Sequence, residues 1–597
     1  MTCFTEDDRG FPAIAADHQE AFDAFVKDHL YDHPLYRPQT LPPAPWTDWE
    51  NDYLGTSIRT AFVKANDPQT HAEIKAAFAD GSILEHVRAV NALQAVPFTI
   101  NEVTLRLLKQ FGAKEFKREI AIADALVGKQ FWCPLRCDRR GRLIHLSDFN
   151  PFRGDEVRSL FLFAQGKPIG SSIAWLEIAI AHSYGKSGTL TERTDWVRDN
   201  IDLIKACAEG PNSVFRLDPA PEKPYQFVAA CVEYVAAAAD TSDYETRLPI
   251  WLDATSNGLQ HLAMLRRDPE LAGEVNLNTD WDKAAILFYR RRNDGAGVPV
   301  IFEHDVVLGE NQIVGPEARE WLATRADKPK GIYAKVARRV HSNLTADGSN
   351  ELSQFWLGHH KDLARLGKQP VMTVSYGATP SGRRDQLREK AKKLKIFLPR
   401  ENYSKLIKHL EEHIWKAMQA LPPTATAIKT RDFIQEIAKS LLKHNKYMRW
   451  VSPSGFPVAN RYHKSKTGDD QRVLLKFSGQ RITISDGYTD ELREQKTINA
   501  VVANFVQSLD AAHLALSVNE ATKRGIQAAS VHDCYATVAP DVSAFARIRR
   551  FALGVMYYHN PLEDLWSDNV IDKDALPMLE LGTLDPLVAA FSDYSEV

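Results

Sequence analysis

The sequence predicts a helix-rich α+β protein. Three observations lead there. Residues 67–124, 170–240, 314–448 and 499–523 repeat apolar side chains at helical spacing, with Pro97 interrupting the first stretch. Gln130–Leu146 and Arg449–Ile484 alternate apolar and polar residues around glycine-bearing turns, as strands do. Two brief apolar runs meet an acid: Leu248–Asp253 (LPIWLD) ends on one, and Gln527–Val538 (QAASVHDCYATV) is broken by His-Asp-Cys. Both read as buried strands that present a carboxylate.

At 597 residues the chain is too long for one compact core and suggests roughly three to four domain-sized units. Its 44% hydrophobic and 25% charged residues are those of an ordinary globular protein. No uninterrupted apolar run approaches the ~20 residues of a membrane helix. The start, MTCFTEDDRG, is acidic and lacks the basic and apolar regions of a signal peptide, and a cytoplasmic protein is expected. Pro34–Trp46 is proline-rich and reads as an extended strap. Six cysteines are too few for a disulfide scaffold. Cys133 and Cys137 have no second ligand pair nearby and read as buried thiols rather than a zinc site.

Net charge is only −3, but it is unevenly spread. Residues 1–50 hold ten acidic and three basic side chains; residues 361–410 hold thirteen basic and four acidic. Such a basic block suits either a phosphate-lined channel or a solvated helix face, and charge alone leaves both open.

Three stretches carry chemistry together. Trp251–His261 (WLDATSNGLQH) places Asp253 at a strand end, followed by small residues and Gly258. Lys368–Gly377 (KQPVMTVSYG) is preceded by Lys361 and Arg365. On a helix Lys361, Arg365, Lys368, Met372 and Tyr376 form one stripe, with cations at one end and an aromatic at the other. Val531–Cys534 (VHDC) sets Asp533 at a tight turn. Nucleotidyl transfer needs such parts. Two magnesium ions about 4 Å apart can stabilise both the attacking hydroxyl and the leaving pyrophosphate. Magnesium takes hard oxygen ligands, and two aspartates on adjacent strands supply them. A lysine on a facing helix can neutralise a triphosphate, and an aromatic can stack on a base.

These motifs resemble those of the single-subunit RNA polymerases of bacteriophage and mitochondria. LDATSNGLQH, KQPVMTVSYG and VHDC are similar to that family's three catalytic motifs. Cys137–Pro151 (CDRRGRLIHLSDFNP) resembles its Asp-x-Arg-Gly-Arg segment. FAQGKPIG, VNALQ, VSPSGFPV and ANFVQSLDAAHL share its character, and the resemblance runs from about Tyr36 to the C-terminus. It implies a right-hand fold: a reduced N-terminal region and short thumb at 1–130, a palm split between 131–268 and 514–597, and fingers at 269–513.

The resemblance implies DNA-templated synthesis of RNA from NTPs with two magnesium ions, held by Asp253, Asp533 and the Ala254 carbonyl. It gives Lys368 the triphosphate, with Lys361 and Arg365 assisting. Tyr376 would sense the ribose and base pair, and His513 would approach the incoming nucleotide. Arg140, Gly141 and Arg142 would meet the template, and Lys186 and Tyr289 are looser nucleotide contacts. Residues 457–480 would form a specificity loop, with Arg461, His463, Lys464, Lys466, Gln471, Arg472 and Lys476 reaching groove edges or forming a solvated hairpin. The expected partners are template DNA, nascent RNA and an accessory initiation factor, with the chain acting as a monomer away from membranes.

Three positions favour ribonucleotides over deoxyribonucleotides. Related DNA polymerases carry Glu, an aromatic and Glu where this chain has Gly258, Met372 and Cys534. The sequence also departs from the family: Ala364 stands where an Arg is usual, with Arg365 beside it, and the chain ends in DYSEV. The match begins so early that the family's N-terminal promoter-binding domain is expected to be mostly missing, with low processivity and strong salt inhibition as consequences. Primase-like synthesis of short RNAs without a defined promoter is the alternative reading.

Overall fold

A computed structural model describes residues 4–6, 12–14, 37–52, 59–65, 67–241, 243–277, 330–466, 471–475, 480–484 and 488–592. The α+β expectation holds, and helix dominates. Tyr289 and Lys476 lie outside the described residues.

At the centre is a three-stranded antiparallel sheet in the order Ile250–Asp253, Cys534–Thr537, Ala529–Val531. Its middle strand is buried throughout. Ala536 packs into one hydrophobic core with Ile250, Leu252 and Ala529, while Tyr535 packs into the other. That alternation is the two-residue period of a strand covered on both faces. The sheet therefore sits between two cores. One core is built largely from residues 96–252, including the helices Ala174–Tyr184 and Pro224–Ala239. The other gathers the helices of residues 332–442 and the long helix Glu494–Lys523. That long helix is apolar enough to cross a membrane by composition, yet 83% of its most apolar window is buried inside the protein. It is the spine of a core.

Leu135–Asp138 and Leu143–His145 form the expected strand–turn–strand. The proline-rich strap ends packed against it, with Trp46 Nε1 donating to the Leu135 carbonyl at 2.9 Å. The basic stripe spans three segments rather than one helix: a 3₁₀ turn His360–Asp362, the helix Leu363–Met372 and a second 3₁₀ turn Thr373–Tyr376. Pro370 lies inside that helix and is buried. Gly377 ends the second turn at φ 72°, a conformation glycine adopts without steric cost.

The described part of residues 457–480 belongs to β-hairpins. His463–Ser465 pairs with Tyr488–Leu492, and Gln471–Leu475 pairs with Gln480–Ile484. Arg461 is not on a groove-reading surface. It is 2% exposed and bonds to Asp67, Thr70 and the Tyr447 hydroxyl. An arginine between Asn460 and Tyr462 reads as exposed in sequence; here it ties the hairpin base to the cap of helix Pro68–Ala79.

Candidate active site

Strand register brings the two motif aspartates together. Asp253 is the last residue of its strand and stands opposite Cys534; Asp533 is the next residue back along the chain, in the turn. Two residues, His532 and Asp533, close this hairpin, and such tight turns require positive φ. His532 adopts φ 56°. A non-glycine residue there is uncommon and costs free energy. Its ring packs edge-on against Phe152 at 4.7 Å, which helps hold it. Behind the turn, buried Arg549 lies 3.6 Å over the Tyr535 ring and donates to the Asp533 carbonyl at 3.2 Å.

Burial pushes the Asp533 carboxyl up to about 7, and the charges of Asp510 and Asp253 add to the push. Asp253 is solvent-exposed at the strand end, so the protein crowds it from the sides of an open cleft. Burial by those walls raises its carboxyl, while Lys223, Arg549, Arg158 and Lys368 pull it back down. Two carboxyls raised at one sheet end, with basic side chains near enough to act on Asp253, describe a place built for a further ligand.

The basic stripe faces this pair. Lys361, Arg365, Lys368 and Met372 are exposed. Among the described residues Arg365 has a loose partner in Asp362 at 4.0 Å. The Lys368 ammonium stands 5.7 Å from the centre of the Tyr333 ring, and the Tyr333 hydroxyl bonds to Ser256 at 3.0 Å. Tyr376 is half-buried beside Asn257, and burial followed by the nearby Asp510 and Asp533 charges raises its phenol.

Beneath the cleft runs a buried polar chain. Arg142 pairs with Asp510 at 3.0 Å, and the Asn257 amide donates to Asp510 at 3.1 Å. Burial opposes the charge on Asp510, but Arg142, His261, His532 and His513 outweigh it and hold the carboxyl below its usual range. The Arg140–Arg142 turn is itself fixed by Asp138, whose Oδ1 accepts from the backbone of Arg140 at 2.8 Å and Arg142 at 3.1 Å. Arg140 also bonds to Gln507. Gly141 has φ 84°, and a Cβ there would meet the buried His86 ring at 2.6 Å. Gly258 has a packing reason the sequence did not reveal: a Cβ would fall 2.2 Å from Ser375 Oγ and 3.0 Å from the Tyr376 ring.

Two expected contacts have partners within the protein. His513 is buried, with Nε2 bonded to the Arg549 carbonyl at 2.7 Å, so it supports the sheet instead of facing the cleft. It lies on a helix buried on nearly all sides, which a motif match cannot distinguish from a cleft wall. The Lys186 ammonium sits over the rings of Tyr184 and Trp196, at 5.3 and 5.0 Å. Lys223, bonded to His182 at 2.9 Å, joins Lys368 in bringing positive charge to Asp253. Lys223, Tyr333 and Gln507 had no legible signal. Asp510 had one, an acid inside the apolar run ANFVQSLDAAHL.

A family model of DNA-dependent RNA polymerase matches residues 167–288 and 317–573, and the chain belongs to that family. Both motif aspartates and the basic stripe fall inside the match. The relatives are the single-subunit polymerases of organelles and phage, and this chain is of that type. It is 27% identical over 75% of its length to the mitochondrial DNA-directed RNA polymerase of Mus musculus, covering 33% of that protein. It is 29% identical over 80% of its length to chloroplastic DNA-directed RNA polymerase 3 of Nicotiana sylvestris, covering 45% of it. To the DNA-directed RNA polymerase of Enterobacteria phage T3 it is 27% identical over 77%, covering 51%. The chain thus spans about a third to a half of these relatives.

Proposed function

We propose that this chain performs DNA-templated RNA synthesis, adding ribonucleoside monophosphates from NTPs and releasing pyrophosphate, within a right-hand fold whose palm is the central sheet. The observation that carries the reading is the register that sets Asp533 beside Asp253 at the sheet end, in front of the exposed cations of the stripe.

The donor set fits magnesium. Two carboxylates are hard oxygen ligands, and each carboxyl is raised, Asp253 by burial and Asp533 by burial together with the Asp510 and Asp253 charges, which a divalent cation would offset. Asp253, Asp533 and the Ala254 carbonyl would hold it. When bound, two such ions stabilise charge on the attacking and leaving oxygens of phosphoryl transfer. The chain's own residues do the rest. Lys368 brings a positive charge to the triphosphate, with Arg365 and Lys361 further out on the stripe. Tyr376, propped by Asn257, presents an aromatic edge to the nascent base pair. Arg140 and Arg142 are held by carboxylates on one side and lie on the template turn.

Ribonucleotide use is supported at three positions. Gly258 is packed too closely against Ser375 and Tyr376 to accept a side chain that would exclude a 2′-hydroxyl. Met372 is exposed on the stripe. Cys534 is buried opposite Asp253, where a third carboxylate would add to the repulsion.

The test is primer-independent and primer-extended incorporation of labelled NTPs and dNTPs on a DNA template, with and without magnesium. Wild-type protein is expected to incorporate NTPs only. Asp533→Ala is expected to lose at least about a thousandfold in rate, since a metal's electrostatic contribution is several kcal/mol, while retaining template binding. Undiminished synthesis by Asp533→Ala would refute the site.

A further inference from the structure

A second cluster lies away from the aspartate pair, where the helix Ile332–Ala346 ends against the helix Tyr403–Ala420. Asp347 caps the first helix. His409 and His413 are four apart on the second, so both rings project from one face. Their Nε2 atoms stand 3.6 and 3.8 Å from Asp347 Oδ2. These separations are too long for hydrogen bonds. They are close to the spacing of ligand atoms around a tetrahedral ion, about 3.3–3.6 Å for bonds of about 2.0–2.2 Å. All three ligand atoms lie within 4.8 Å of one another.

An independent observation points to a ligand. The His413 side chain is 9% exposed, and its ring makes no hydrogen bond among the described residues. Its Nδ1 is buried without a partner, and its Nε2 is aimed at Asp347. A buried imidazole with neither nitrogen hydrogen-bonded is costly unless something else occupies it. His409 is different: Ser353 Oγ lies 2.8 Å from both His409 Nε2 and Asp347 Oδ2 and bridges them.

We propose that Asp347, His409 and His413 form a binding site for a transition-metal divalent cation of the zinc class. Two imidazoles and one carboxylate suit zinc or cobalt and not magnesium, which prefers oxygen alone. Burial keeps both rings in the neutral form that ligation requires. Asp347 is 41% exposed, so solvent reaches the site and water can complete the shell. The ion would clamp one end of the helix whose other end carries Tyr333, the residue under Lys368. Its role is to fix the stripe's backing, and it does not depend on the reaction proposed above.

The test uses the full chain without a histidine tag, stripped with a chelator and kept in excess magnesium to occupy the aspartate pair. Zinc is titrated by calorimetry, and cobalt by visible absorption. One equivalent is expected to bind, to give the intense bands of four-coordinate cobalt, and to raise Tm by about 2 °C or more. His413→Gln and, separately, His409→Asn should each weaken binding at least tenfold, while Asp253→Asn with Asp533→Asn should leave it intact. Absence of a bound equivalent in the wild-type chain, or equal affinity in either histidine variant that is folded by circular dichroism, overturns the site.

Discussion

Asp510 and Asp533 are the same residue in neighbouring parts of one protein, and they are driven in opposite directions. Asp510 is almost wholly enclosed, yet Arg142 at 3.0 Å and an amide from Asn257 keep it charged. Asp533 is less enclosed, but it looks onto two other carboxylates and is pushed up to about 7. Burial raises both, so the difference between them lies in their partners. A satisfied carboxylate is structural; a crowded one awaits a cation.

The largest effects should separate the two. Asp533→Ala is expected to remove synthesis and leave the thermal midpoint unchanged or higher in chelator, because it relieves repulsion. Asp510→Ala should do the reverse in kind. It strands Arg142, which is 17% exposed at the side chain, and breaking such a pair costs about 3–5 kcal/mol. Denaturant unfolding measures it, and the double variant Asp510→Leu with Arg142→Leu should recover much of the loss. If Asp510→Ala were as stable as wild type, the contrast would collapse.

A smaller effect is expected at the seam between the two regions. Gly258→Ala places a Cβ 2.2 Å from Ser375 Oγ, and overpacking of this kind costs about 1–3 kcal/mol. Ser375→Gly in the same chain should restore part of the stability. No rescue would mean that the helix start, not the contact, sets the penalty.

The last contrast is in pH dependence, and its sign differs between the aspartates. Asp533 has a raised folded value, from 3.8 to about 7, so the folded state holds the proton more tightly. Without metal its contribution to stability is full at low pH and is lost as pH rises toward 7. Asp510 is lowered, so its contribution is present above its ordinary value of 3.8 and is lost as pH falls below it. Tm against pH in chelator should therefore lose its decline between about 4 and 7 in Asp533→Asn, and magnesium should flatten the same slope in the wild type. An unchanged profile in Asp533→Asn would assign that slope to other groups.

Much of this was legible early. LPIWLD and VHDC could be read as strands meeting an acid, and what gave those acids a role was their occurrence in order with the basic stripe, since a lone acid at a strand end is more often a turn former. The Lys361–Tyr376 stripe followed from helical spacing, though the helix breaks into three parts around it. Arg461 and His513 were misplaced for one reason: residue type states what a side chain can bond to, not whether its neighbours have already bonded to it. Arg461 meets Asp67 and His513 meets a carbonyl of Arg549, partners that lie far along the chain or on another element.

The sequence by itself determined the elements, the order of the motifs and the family. Those depend on local periodicity and on residue identity, which are written along the chain. Only the tertiary structure decided which charges are spent and which are free. That depends on distances between groups such as Arg142 and Asp510, or Asp347 and His413, set by how the two cores close on the central sheet. A field that falls with distance and with screening is a property of the packed protein, and no spacing along the chain encodes it.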